Sequence, residues 1–177
     1  MLLRATLMLG AVAVFAQQTA KKPDLAPYYP TPETIVDKML QFGELKAGEK
    51  MFDVGSGDGR IVIMAADKYK ADATGVEMDA DLYKRSSDRI KQKGLNARAR
   101  IIHGDAMQQD YSAADMLTVY LLPSSNDKLR PILEKQLKKG TRIVSHDFEF
   151  SGWTPEKIEN IDDDGEGRSH TLYLYRR

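Results

Sequence analysis

The residue types best suited to chemistry fall in one run, Asp53-Val54-Gly55-Ser56-Gly57-Asp58-Gly59-Arg60. Closely spaced glycines let a backbone take dihedrals that other residues resist and let a ligand approach the main chain. If a helix starts just beyond, its free amides add donors. Dinucleotide folds use Gly-x-Gly-x-x-Gly with a pyrophosphate on the helix end. The spacing here is Gly-x-Gly-x-Gly, with Asp58 inside it and Asp53 before it. Two carboxylates repel a pyrophosphate; they suit a ligand carrying a sulfonium and an amino-acid ammonium. About 20 residues beyond the glycines stands Glu77, where a carboxylate can grip ribose hydroxyls. Asp105, in His103-Gly104-Asp105-Ala106, can accept from an adenine amino group while the backbone at Ala106 meets the ring edge; a helix cap is an equal role for it.

For these groups to converge, they must sit at the ends of parallel strands. The pattern supplies such strands. Lys50 to Val54, Ala73 to Glu77, Arg100 to His103, Met116 to Leu122 and Thr141 to Phe148 read as strands. Helical runs separate them, at Ile61 to Tyr69, from Asp79 through Ile90 towards Gly94, and from Pro123 to Leu137. A leading helix begins near Thr31, with Thr31 as a possible cap, Pro32 in the first turn, Glu33 at the positive end of the dipole and Ile35, Val36, Met39 and Leu40 on one face. Lys157 to Ile161 and His170 to Tyr175 read as a closing hairpin around Asp162-Asp163-Asp164-Gly165, taken as a solvated turn. The expected fold is α/β: a Rossmann-like, mainly parallel sheet with helices on both faces and a C-terminal antiparallel hairpin.

Composition narrows the classes. At 177 residues the chain makes one domain. Formal net charge is zero, which gives no support to nucleic-acid binding. There is no cysteine, hence no disulfide framework and no thiolate nucleophile. No metal-ligand spacing stands out, and no metal site is expected. Arg4 followed by the apolar stretch Ala5 to Phe15, then Ala16 and polar Gln17-Gln18, reads as a cleavable export signal. The expected division is a signal over 1–16, an extended lead-in over 17–30 and a catalytic domain over 31–177, placing the mature chain in a bacterial periplasm or envelope, without a membrane span; the sequence leaves the oligomeric state open, with a monomer favoured. If the signal is not cleaved, the chain is membrane-anchored.

Together, Asp53-x-Gly-x-Gly-x-Gly, Glu77 and Asp105 resemble the class I methyltransferases that use S-adenosylmethionine. More narrowly, Tyr29-Pro30-Thr31-Pro32, Tyr120-Leu121-Leu122-Pro123 and Arg142-Ile143-Val144-Ser145 resemble a small family. It includes bacterial methyltransferases of this size and the mitochondrial lysine methyltransferases acting on the adenine nucleotide translocase and the ATP synthase c-subunit. The layout is also similar to that of the non-SET histone lysine methyltransferases. The resemblance covers roughly residues 28–153. It implies that Asp53, Gly55, Ser56, Gly57, Asp58 and Gly59 cradle the methionine part of the donor, that Glu77 holds the ribose, that Asp105 and Ala106 face the adenine, and that Tyr29, Pro30 and Thr31 form a lid.

The strand-four end lacks the Asn/Asp-Pro-Pro-Tyr of enzymes methylating amide or adenine amino nitrogens. The implied acceptor is a protein lysine, including one on a membrane protein. Such an amine, with a pKa of about 10.4, needs deprotonation and alignment. Tyr120, His146 and Asp147 are the candidates to orient or deprotonate it, and Tyr28, Tyr29, Phe148 and Trp153 could line an acceptor channel or simply pack in the core. The alternatives are a non-catalytic nucleoside-binding protein of the same fold, a small-molecule methyltransferase and a dinucleotide oxidoreductase.

Overall fold

The computed structural model describes residues 26–177; the expected signal and most of the lead-in lie outside the described residues. Among the described residues, seven strands form one sheet in the order β3-β2-β1-β4-β5-β7-β6. They are β1 (Lys50–Val54), β2 (Asp72–Glu77), β3 (Ala99–His103), β4 (Met116–Val119), β5 (Arg142–His146), β6 (Lys157–Ile161) and β7 (His170–Arg176). Pairings β1–β2, β2–β3, β1–β4 and β4–β5 are parallel, while β7 runs antiparallel to both β5 and β6. The expected α/β fold and its terminal hairpin are therefore present, with β7 inserted between β5 and β6.

The helices are α1 (Glu33–Phe42), α2 (Arg60–Asp67), α3 (Ala80–Gln92) and α4 (Pro123–Gln136), with a 3-10 turn at Ala106–Gln108. Alternation along the strands sends side chains to two cores. Met51, Met116 and Val144 join the α1 and α2 residues Ile35, Val36, Met39, Leu40 and Val62 on one face. Val54, Leu117, Val119 and Ile143 join Leu129 and Leu133 of α4, Tyr111 and Phe150 on the other. Burial on both faces accounts for the mostly apolar sequence of β4, Met-Leu-Thr-Val, in which all four residues are buried.

The order of strands turns back between β1 and β4. In open α/β sheets the carboxyl ends of strands beside such a reversal splay apart and leave a crevice. Asp53, Glu77, Gly104 and Tyr120 all lie at that edge.

Three local expectations change. Thr31 does not cap α1: Pro32 occupies the cap position without a side-chain hydrogen bond, and the Thr31 hydroxyl lies 3.4 Å from His146 Nδ1. β4 ends at Val119 and β5 at His146, short of the expected Leu122 and Phe148. Asp147 has φ of 59°, which takes the chain out of the extended conformation. The acidic turn is not wholly solvated: Asp164 is buried, accepting from the amides of Glu166 and Arg168 and from the Arg168 guanidinium.

Candidate functional site

One pocket occupies the crevice. Its walls come from the β1–α2 loop (Asp53, Gly55 to Asp58), the end of β2 (Val76 to Asp79), Gly104 and Ala106 after β3, Tyr120 and Leu121 after β4, and the segment Ala26 to Thr31 that crosses over it. The segment expected to form a lid thus borders this pocket. Tyr28 and Tyr29 remain 46% and 55% exposed, so this cover rests on the pocket without being packed into a core.

The loop's geometry requires glycine. Gly57 has φ of 53°, and a Cβ there would lie 2.9 Å from the Tyr28 ring. Gly59 has φ of 77° and starts α2; its Cβ would lie 2.8 Å from Ser86 Cβ of α3. The loop is held from below by Glu77, whose Oε2 accepts the Gly57 amide at 2.7 Å and whose Oε1 accepts the Asp79 amide at 2.8 Å. Those bonds leave lone pairs on a carboxylate that still faces the pocket, able to accept ribose hydroxyls. Ser56 lines the pocket as well, with its side chain seated on Gly75, where a Cβ would lie 2.5 Å from Ser56 Oγ.

The two loop carboxylates differ. Asp58 is already neutralised: Arg60 Nη2 lies 2.9 Å and Arg89 Nη1 2.7 Å from its Oδ2. Burial pushes the Asp58 carboxyl up, but the hydrogen bonds and charge of Arg60, with the charge of Arg89, hold it below its ordinary value. It ties the loop to α2 and α3 and does not serve as a free anionic contact. Asp53 has no such cation among the described residues. It is buried, and Thr118 Oγ1 donates to its Oδ1 at 2.8 Å. Burial pushes the Asp53 carboxyl up to about 7; the Thr118 bond opposes this, and the charges of Glu77 and Asp58 add to it. A buried carboxylate without a cation on the pocket wall is a ready partner for an incoming ammonium.

Asp105 takes the capping role: its Oδ1 accepts the Met107 amide at 2.9 Å, while its neighbours Gly104 and Ala106 line the pocket. Met78 and Leu82, which sequence reasoning did not single out, add apolar surface beside Glu77, suited to one face of a base. Arg60 was also missed as a pocket residue; its Nη1 donates to the Thr31 carbonyl at 2.8 Å and so ties the lid to the loop.

Of the residues expected to orient or deprotonate an acceptor, Tyr120 lines the pocket and donates to Asp147 Oδ2 at 3.3 Å. Burial, the Asp147 charge and that bond push the Tyr120 phenol up to about 12, so it keeps its proton at neutral pH. His146 is fully buried behind it, with ring centroids 4.0 Å apart, and does not line the pocket. Burial pushes the His146 imidazole down to about 4 against the pull of the Asp147 charge, with His170 adding to the fall, so the ring is neutral. Phe148 stacks on Tyr120 with centroids 6.2 Å apart. Trp153 packs instead on Phe150 and Tyr175, away from the pocket.

The profile of the ANTKMT methyltransferase domain matches residues 53–157. The chain is similar to a protein-lysine N-methyltransferase of Saccharolobus islandicus (strain REY15A), with 40% identity over 150 residues covering 84% of this chain and 92% of that protein. It is also similar to the Homo sapiens lysine N-methyltransferase of the ATP synthase c-subunit, at 29% identity over 85% of this chain and 67% of that protein. Among solved structures, an RNA methyltransferase from Salinibacter ruber in complex with S-adenosyl-L-homocysteine superposes with a TM-score of 0.77 and 41% identity, covering 84% of this chain and 93% of that one.

Proposed function

This chain belongs to the ANTKMT methyltransferase domain family and is an S-adenosylmethionine-dependent methyltransferase; from that premise we propose that it methylates the ε-amino nitrogen of a lysine in a protein. The pocket supports the donor's fit. The glycine loop leaves space that a Cβ would fill, Asp53 is a buried carboxylate without a cation, and Glu77 stands at the ribose position. When bound, the donor supplies an electrophilic methyl on its sulfonium.

The single observation that carries the acceptor assignment is the likeness to the Saccharolobus islandicus protein-lysine enzyme across nearly all of that protein. The strand-four end agrees with it: Tyr120-Leu121-Leu122-Pro123 offers no amide-nitrogen motif, and Tyr120 presents a neutral phenol at the pocket wall. Such a group orients an amine and does not abstract its proton. His146 lies behind Tyr120 and acts only through it. The lysine therefore sheds its proton to solvent before attack, and alignment in the pocket supplies the rate.

The Salinibacter structure is described as an RNA methyltransferase, so RNA belongs in the test. The full chain is incubated with methyl-labelled donor, a panel of lysine-rich proteins and total RNA. Label recovered as methyllysine supports the proposal. Label confined to RNA overturns it. Labelling that rises with pH and falls in Tyr120→Phe fits a pocket that orients an amine. The proposal extends to location: a mature N-terminus at Gln17 in an envelope fraction supports export, and an intact Met1 in a cytoplasmic fraction sinks that part.

A further inference from the structure

Behind Tyr120, the adjacent His146 and Asp147 meet His170, which lies 23 residues beyond Asp147. His146 Nε2 and His170 Nδ1 lie 2.9 Å apart. Asp147 Oδ2 lies 3.3 Å from the first and 3.4 Å from the second. Both rings are held from their far sides: His170 Nε2 lies 3.2 Å from Asp164 Oδ2, and His146 Nδ1 lies 3.4 Å from Thr31 Oγ1. Asp164 also accepts from two backbone amides and a guanidinium, so His170 Nε2 must donate to it. That leaves His170 Nδ1 as an acceptor, facing His146 Nε2 at 2.9 Å and the Asp147 oxygen at 3.4 Å.

A proton on His146 Nε2 can bridge to His170 Nδ1 and Asp147 Oδ2, and a divalent cation in its place would draw on all three atoms as ligands. Among the described residues no lysine or arginine pairs with Asp147. The three separations match the edges of a metal coordination shell: bonds of about 2.0–2.1 Å give ligand–ligand edges of about 3.0 Å in octahedral and about 3.3 Å in tetrahedral geometry. Histidine ligands commonly donate their outer nitrogen to a carboxylate, which is the His170–Asp164 arrangement.

We propose that His146, Asp147 and His170 form a binding site for a first-row divalent transition-metal ion, of which zinc best suits two imidazoles and one carboxylate. The site is separate from the donor pocket and connects three parts of the fold. It joins the end of β5 to the start of β7, reaches the lid through Thr31, and fixes Tyr120 through Asp147. Binding of the ion holds Tyr120 and the lid in register with the pocket.

The test uses the full chain, freed of any histidine tag, stripped with chelator and titrated with Zn²⁺ by calorimetry and with Co²⁺ by visible absorption. A single equivalent should bind, with Co²⁺ giving the absorption of a nitrogen- and oxygen-ligated centre. His146→Ala and His170→Ala should abolish binding, Asp164→Asn should weaken it about 10- to 100-fold, and His103→Ala, far from the cluster, should leave it unchanged. Should the histidine variants fail to fold, nitrogen chemical shifts of the wild-type rings decide: Zn²⁺ must move His146 Nε2 and His170 Nδ1. Unmoved ring shifts, or a titration that the histidine variants do not alter, would overturn the site.

Discussion

At the residue scale, Asp53 sets function against stability. Its folded-state carboxyl is raised to about 7 chiefly by burial, above the ordinary value of about 3.9. Between those values the folded chain holds a proton that the unfolded chain has lost. Stability from this group is therefore present at low pH and falls as pH rises through about 7. Donor binding has the opposite sign, because the ammonium needs the ionised form. Affinity should be greatest at about pH 7–8, where the carboxylate is ionised and an α-ammonium, with a pKa of about 7.7–8.0, still holds its proton, and weaken towards tenfold per unit at lower pH as the competent fraction shrinks. Asp53→Asn keeps the shape and can still pair with Thr118. We predict that it raises the melting temperature at alkaline pH and weakens donor binding about 10- to 100-fold, the scale of a charged hydrogen bond of about 1.5–3 kcal/mol. Calorimetry against pH and thermal melts of both proteins check the two signs; equal melting with unaltered binding would remove Asp53 from the site.

At the scale of elements, the glycine loop is a joint between α2 and α3. Gly59→Ala places a Cβ 2.8 Å from Ser86 Cβ at φ of 77°. The backbone strain costs about 1–2 kcal/mol and the overpacking about 1–3 kcal/mol, so the denaturant midpoint should fall markedly at an unchanged slope. The same joint is closed electrostatically by Asp58 with Arg60 and Arg89. Because its folded-state pKa is depressed, Asp58 contributes stability above the ordinary carboxylate range, which is lost as pH falls through the lowered value. A double-mutant cycle of Asp58→Asn with Arg89→Ala should give a coupling on the order of 1 kcal/mol at neutral pH, since Arg89 is partly exposed, and no coupling once Asp58 is protonated. The joint was only half legible in the sequence. Spacing located the loop, its glycines, Asp53 and Glu77, because these lie within one strand–loop–helix–strand stretch. It could not show that Asp58 is spent on Arg89, which lies 31 residues away. Thr31 invited a local role as a helix cap, but its hydroxyl meets His146 across 115 residues. Strand ends were overestimated at β4 and β5 for a related reason: apolar character continues past the sheet to line the pocket or pack behind it, and periodicity cannot tell the two apart.

At the scale of the whole molecule, the sheet brings a lid, a glycine loop and the ends of four strands to one crevice, so ligand binding should be felt by the entire fold. A ligand that binds only the folded chain stabilises it by about 2.7 kcal/mol at 100 times its dissociation constant. For a domain of this size that raises the melting temperature by about 5–10 °C. S-adenosylhomocysteine offers the ammonium for Asp53, the ribose for Glu77 and the base for Met78 and Leu82, so it should produce this shift. NAD shares the ribose and base, but its pyrophosphate would meet the Gly-x-Gly-x-Gly loop beside the buried Asp53, with the cationic charge of Arg60 and Arg89 already committed to Asp58. NAD should therefore leave the melting temperature unchanged. Asp53→Ala should melt as a cooperative fold and lose the S-adenosylhomocysteine shift, which separates a damaged site from a damaged sheet. Equal shifts with both ligands would mean that the ribose and base alone drive binding, and that the loop carboxylate does not set the choice of nucleoside.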